Sequence, residues 1–230
     1  NQPFQIRIAC MPVLSEIFLP KIIADFAAEH KDAHFYLRAQ PSARVHESIA
    51  SQQFDIGFAE NPNKSELYFT KDFSLPTMIA LPEGHLLSCH SVLTPKHLDN
   101  VPFSTFLPEH ELTIQLRAAF ESVDAKLNIP FFLQNAAAQY SIVENGHAVG
   151  FMSLLSVWLY QENWEKSSRK KIIFRPFAPQ IYQNISLITP RHRPLPLISQ
   201  LFSAKLEKSV HNIFSETKSQ FQLDELEELN

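Results

Sequence analysis

Gln5-Ile6-Arg7-Ile8-Ala9-Cys10, Ala33-His34-Phe35-Tyr36-Leu37-Arg38-Ala39 and Phe54-Asp55-Ile56-Gly57-Phe58-Ala59-Glu60 are three short runs of strand length. Each reads as a strand, and Phe54–Ala59 is short and apolar, as a strand buried in a parallel sheet should be. Between the first two, Ile17, Leu19, Ile22, Ile23, Phe26 and Ala27 recur at helical spacing, which predicts a helix from Ser15 to about His30. Between the last two, Pro41-Ser42 opens a second helix whose apolar face is Val45 and Ile49, with Ser42 as its N-cap. The first 60 residues therefore read βαβαβ. In open α/β sheets, ligands bind outside the carboxyl ends of the strands, so a small-molecule site is expected on the loops that follow Cys10, Ala39 and Glu60.

Outward from this unit, Leu67–Phe73 and Leu75–Pro82 read as two strands with Pro76 between them, a crossover into a second lobe. A helical start is expected at Thr94-Pro95 and a strand over Val101–Phe106. A helix is expected over Leu112–Ala125, a strand over Ile129–Leu133, and a helix over Ala136–Asn145 closed by Gly146 as its C′ residue. Val149–Met152 is a strand leading into a helix over Ser153–Glu162. Ile172–Phe177 and Ile185–Thr189 are strands, the second returning the chain to the first lobe, and Pro196–Phe214 is a terminal helix. The segment from 215 to 230 reads as an acidic, solvated tail, ending Asp224-Glu225-Leu226-Glu227-Glu228.

Composition narrows the function. The chain has 230 residues, 45% of them hydrophobic, enough for a folded core. Only 4 glycines are present, with neither G-x-G-x-x-G nor G-x-x-x-x-G-K, which argues against a nucleotide loop. A net charge of −4 lacks the basic footprint of a nucleic-acid-binding domain. Cys10 and Cys89 read as free thiols of a cytosolic chain, with Cys10 buried and inert. The scattered histidines form no zinc pattern, and neither G-x-S-x-G nor H-E-x-x-H occurs, so no catalytic centre, cofactor or metal is expected. No apolar run approaches ~20 residues, so no membrane span is expected. The start, Asn1-Gln2-Pro3 without Met, reads as a fragment or processed form.

Candidate ligand residues follow from the strand ends. Met11-Pro12-Val13-Leu14 follows the first strand and leads into a helix, whose backbone N–H groups favour an anion. Ser42 reads equally as a plain N-cap and as a ligand contact. Glu60 ends the third strand. It reads either as a solvent-facing loop acid or as the partner of a cationic ligand group, which a carboxylate meets with parallel hydrogen bonds.

The ordered set Ile6-Arg7-Ile8-Ala9, Leu19-Pro20, Gln53-Phe54-Asp55-Ile56-Gly57-Phe58, Leu81-Pro82-Glu83-Gly84-His85-Leu86-Leu87 and Val143-Glu144-Asn145-Gly146-His147-Ala148-Val149-Gly150-Phe151 resembles the effector-binding domain of LysR-type transcriptional regulators. The resemblance extends to about residue 210; the family's common glycine is Ala148 here, and its proline soon after Phe151 is missing. Ile8-Ala9-Cys10-Met11-Pro12 adds a finer likeness to regulators of opine catabolism, those that sense octopine or nopaline. The resemblance implies an α/β fold of two Rossmann-like lobes joined by a two-strand hinge, like the type 2 periplasmic binding proteins. Lobe I would comprise 1–77 and 182–214, and lobe II 78–181, with the effector in the cleft between them. It further implies a cytoplasmic, non-enzymatic sensor that pairs as a homodimer, belongs to a tetramer, and reaches DNA through an N-terminal winged helix-turn-helix absent from this chain. Thr105, Asn135 and Phe151 are the ligand contacts expected from the second lobe. Several carboxylate-sensing members place an arginine where Glu60 stands, so an arginine-derived or amino-bearing effector is expected here. The competing readings are a solute-binding protein of a transport system, which shares the fold, and an enzyme on a similar scaffold.

Overall fold

The first strand and its two neighbours organise the amino-terminal part of the chain. The computed structural model describes residues 4–60, 65–164 and 171–223. Contacts divide the chain into two units: unit 1 runs to Ser74 and includes Asn184–Ile213, and unit 2 is Leu75–Gln183 with the residues from Phe214 on.

In unit 1, β1 (Phe4–Cys10) lies parallel to both β2 (Ala33–Ala39) and β3 (Ile56–Glu60). Beyond β3 runs β9 (Tyr182–Pro190), antiparallel to it. The central strands are buried on both faces: Ile8 and Phe58 on one, and Ala9 and Ala59 on the other, are all wholly inaccessible. β2 alternates between half-buried and exposed residues, as suits the edge strand it is. The expected single first helix is two, α1 (Pro12–Glu16) and α2 (Phe18–Glu29). Pro20 explains the break: its ring excludes the carbonyl of Glu16, four residues back, so the helix restarts after Ile17. α2 and α7 (Leu197–Gln220) cover one face of the sheet through an aromatic cluster, with Phe202 5.2 Å from both Phe26 and Phe35. α3 (Ser42–Ala50) covers the other face. It lies so close to β3 that a Cβ on Gly57 would fall 2.7 Å from Ile49 Cγ1.

In unit 2, the carboxyl half of β4 (Tyr68–Pro82) pairs antiparallel with β8 (Ile172–Pro176) and β7 (Val149–Ser153). β5 (Pro102–Thr105) lies parallel to β7 and to β6 (Asn128–Phe132). α4 (Glu111–Glu121) packs Leu112, Leu116 and Phe120 onto Phe103 and Phe151. α5 (Ala136–Glu144) is followed by Gly146 at φ 73°, the C′ glycine the sequence indicates.

Four other expectations are corrected. Leu67–Phe73 and Leu75–Pro82 form one continuous strand, β4, because Pro76 precedes the first residue paired with β7, Thr77, where a missing N–H is tolerated. Thr94–Leu98 makes a turn and no helix, whereas Leu86–Cys89 forms a short 3₁₀ turn. The helix after β7 shortens to α6 (Leu154–Leu159) and passes into a π-type turn, Tyr160–Trp164. The tail expected from residue 215 is helical to Gln220, because Val210, Phe214 and Thr217 continue a buried face at helical spacing. The acidic run Asp224–Glu228 lies outside the described residues.

Candidate functional site

The carboxyl edge of the unit 1 sheet has a gap built into its backbone. Along β1 and β3, the parallel ladder runs from Ile8 opposite Ile56 to Cys10 opposite Phe58. Its last rung is the Met11 N–H donating to the Phe58 carbonyl, 2.9 Å. Had β1 continued, Met11 O would accept the Glu60 N–H. Pro12, suited to the first turn, instead starts α1, and Met11 O accepts from Leu14 N at 3.1 Å. The Glu60 peptide is left facing a strand that has turned away.

Two side chains of α3 take the place of that strand. Ser42 Oγ accepts the Glu60 N–H at 3.2 Å, and the His46 Nε2–H donates to the Glu60 carbonyl at 3.0 Å. A carbonyl can only accept, so the proton on His46 sits on Nε2. Ser42 and His46 are four residues apart and share one helical face. Ser42 is therefore the first helical residue, with Pro41 as the N-cap, and its hydroxyl reaches across to β3 instead of capping its own helix. His46 is half-buried, with its ring 6.4 Å from that of Tyr68. Burial pushes its pKa below the ordinary histidine value, against the raising effects of the Glu60 carbonyl and the Glu60 charge. Sequence reasoning missed His46. The signal was there in the i,i+4 pairing of Ser42 and His46 on a helix feeding a strand that ends in an acid.

The other predicted residues fall out as follows. Met11 is 5% exposed, and its N–H is taken by Phe58. Pro12 has none to give, and the Leu14 N–H is taken by Met11 O, so the anion cradle expected here is reduced to Val13 among the described residues. Leu14 is wholly buried. In unit 2, Thr105 is wholly buried, its hydroxyl 3.2 Å from that of Thr113, which donates in turn to the Phe106 carbonyl. Phe151 packs edge-on against Phe177, ring centroids 5.4 Å apart, in the unit 2 core. Phe151 is wholly buried there. Asn135 is exposed and caps α5, its Oδ1 accepting from Ala138 N at 2.9 Å. Unit 1 thus brings Met11, Pro12, Val13, Ser42 and Glu60 to one sheet edge, while of the unit 2 residues only Asn135 is exposed.

Cys10 is buried and free, and burial pushes its thiol up to about 12, which keeps it un-ionised and unreactive. A groove of about 440 Å³ lies beside α3 toward β2, lined by Arg38, Gln40, Arg44, Glu47 and Phe54 among others. Gln40 and Arg44 are engaged within it, by Ser48 at 2.6 Å and Glu47 at 2.6 Å. Among the described residues, no group of three metal-ligating side chains is found, and no helix is long and apolar enough to cross a membrane.

Residues 4–209 match the family model described as the LysR substrate binding domain. The chain belongs to that family. Among curated relatives, this LysR substrate binding domain is 27% identical to the transcriptional activator protein LysR of Escherichia coli over 206 residues, covering 88% of this chain and 63% of the relative. It is 38% identical over 91 residues to the octopine catabolism/uptake operon regulatory protein OccR of Rhizobium meliloti, covering 40% of this chain and 30% of the relative. The chain spans less than two thirds of the length of these relatives. Its fold matches the effector binding domain of BenM with its effector benzoate, at 13% identity and TM-score 0.70, over 94% of each chain. It also matches HinK, a LysR family regulator of Pseudomonas aeruginosa, at 17% identity and TM-score 0.72, over 90% of this chain and 70% of that one. The two-lobed, periplasmic-binding-protein-like class read from the sequence is the class of these neighbours.

Proposed function

We propose that this chain is the effector-sensing part of a LysR-type transcriptional regulator. A small amino-bearing or guanidinium-bearing molecule binds at the carboxyl edge of the unit 1 sheet, and binding controls DNA recognition by the rest of the protein. The observation that carries the ligand class is the arrangement around Glu60: an acidic residue held at the strand end, beside a β1–α1 turn whose N–H donors are largely taken up. That edge favours a cation, because donors for an anion are few and a carboxylate can receive parallel N–H bonds. The partial match to an octopine-related regulator supports the same class. Met11, Pro12, Val13 and Ser42 frame the unit 1 edge.

In this reading the protein is cytoplasmic and not an enzyme. The domain works as a homodimer within a tetramer, and DNA contact comes from an N-terminal domain outside this chain. The effector acts only through its different affinities for two states of the regulator. The family match supports this over a transport role.

Thermal unfolding against octopine, arginine, lysine and plain carboxylates tests the proposal. A ligand at about 100 times its dissociation constant adds about 2.7 kcal/mol to native stability. The expected result is selective stabilisation by octopine or arginine, abolished in Glu60→Gln. Stabilisation by plain carboxylates alone, unchanged in Glu60→Gln, would overturn the cationic assignment.

A further inference from the structure

We propose that His46 is a positioning residue for this site: with Ser42 it clamps the backbone N–H and C=O of Glu60, on either side of its Cα, and so sets the direction of the Glu60 carboxylate. The inference rests on the effector reading above and deepens it. Successive residues of a strand point their N–H and C=O groups to alternate sides. Phe58 and Glu60, two apart, therefore point theirs to the same side, and Phe58 uses its carbonyl on Met11. Glu60 faces the same way with no β1 residue to meet.

A strand residue without ladder partners on one side frays. Ser42 holds the N–H, and His46 holds the carbonyl. Both anchors come from α3, which is itself fixed to β3 by Val45 and Ile49 against Gly57. The backbone of Glu60 is thereby tied to a rigid element on the side where a ligand reaches the edge. The lowered pKa of His46 agrees with this role, since a neutral ring keeps Nε2–H as donor and adds no cation to compete with a cationic ligand.

Two variants separate positioning from packing. His46→Leu keeps the apolar bulk and loses the donor, whereas His46→Gln keeps an N–H at similar reach. Amide exchange of Glu60 in the ligand-free chain is the first readout. His46→Leu is expected to speed it about tenfold and His46→Gln to leave it within about threefold of wild type, tenfold being ~1.4 kcal/mol. Calorimetric titration with arginine is the second, and the same order of affinities is expected. Nitrogen-15 spectra of the ring should show the Nε2–H tautomer at neutral pH. A Glu60 amide that exchanges at the wild-type rate in His46→Leu, or a ring in the Nδ1–H form, overturns the proposal whether or not arginine binds. Wild-type protein that ignores arginine while the exchange pattern holds overturns the ligand class and leaves the clamp supported.

Discussion

Asp55→Ala is expected to lower stability by about 3 kcal/mol, because the acid closes the amino end of the same β1–β3 ladder. Its carboxylate is 2% exposed. Oδ2 accepts the Arg7 backbone N–H at 2.8 Å, and Oδ1 accepts from the Arg7 guanidinium at 3.3 Å and from Arg193 NH2 at 2.6 Å. Asp55 N donates to the Arg7 carbonyl at 2.9 Å, so the residue supplies one backbone and one side-chain rung. Removing the carboxylate leaves a buried N–H without an acceptor and Arg193, whose Nε already lacks a partner, with only the Phe54 carbonyl. Asp55→Asn keeps an acceptor but not the charge and should fall between. Calorimetric unfolding of the three proteins measures this; a loss under ~1 kcal/mol for Asp55→Ala would mean the pair is worth no more than an exposed one.

Phe202→Ala is expected to cost about 3–5 kcal/mol, the range for emptying an aromatic site in a core. Phe202 is wholly buried and meets Phe26 edge-on at 86° and Phe35 at 67°. It is one of the contacts through which α7, distant in sequence, closes over α2 and β2. Phe202→Leu fills much of the volume and should cost less than ~1.5 kcal/mol. Equal losses for Ala and Leu in chemical unfolding would contradict this, since they would point to the ring's edge-on geometry and not to the cavity.

The parts of the fold that were legible in sequence are those whose signals are local. Ile6–Cys10, Ala33–Ala39 and Ile56–Ala59 are strand-length runs between helical patterns, and Gly146 sits where a left-handed C′ residue is needed. Two misreadings came from proline. Pro20 splits the first helix four residues upstream of itself, and Pro76 sits inside a strand without ending it. In the last helix, the buried period through Phe214 and Thr217 was masked by the surrounding polar residues.

The site was half legible. Glu60 stood out because it ends a strand, and Ser42 because it opens a helix. What joins them was not readable, because it depends on where β1 leaves the sheet. Ser in the first turn of a helix ordinarily satisfies that helix; here the Glu60 N–H lies within reach and takes its hydroxyl. His46 was passed over for the same reason, since its partner is a backbone carbonyl fourteen residues away. Thr105 illustrates the opposite case: a polar residue at a strand end, turned inward by its bond with Thr113.

The central claim is that ligand binds at the edge formed by the β1–α1 turn, the start of α3 and the end of β3. It is tested most directly by amide shift mapping on the nitrogen-15-labelled chain, using whichever compound stabilises it most in the thermal panel. The account predicts the largest shifts at Met11, Val13, Leu14, Ser42 and Glu60. Shifts confined to other parts of the chain, with these five amides unmoved, would contradict it.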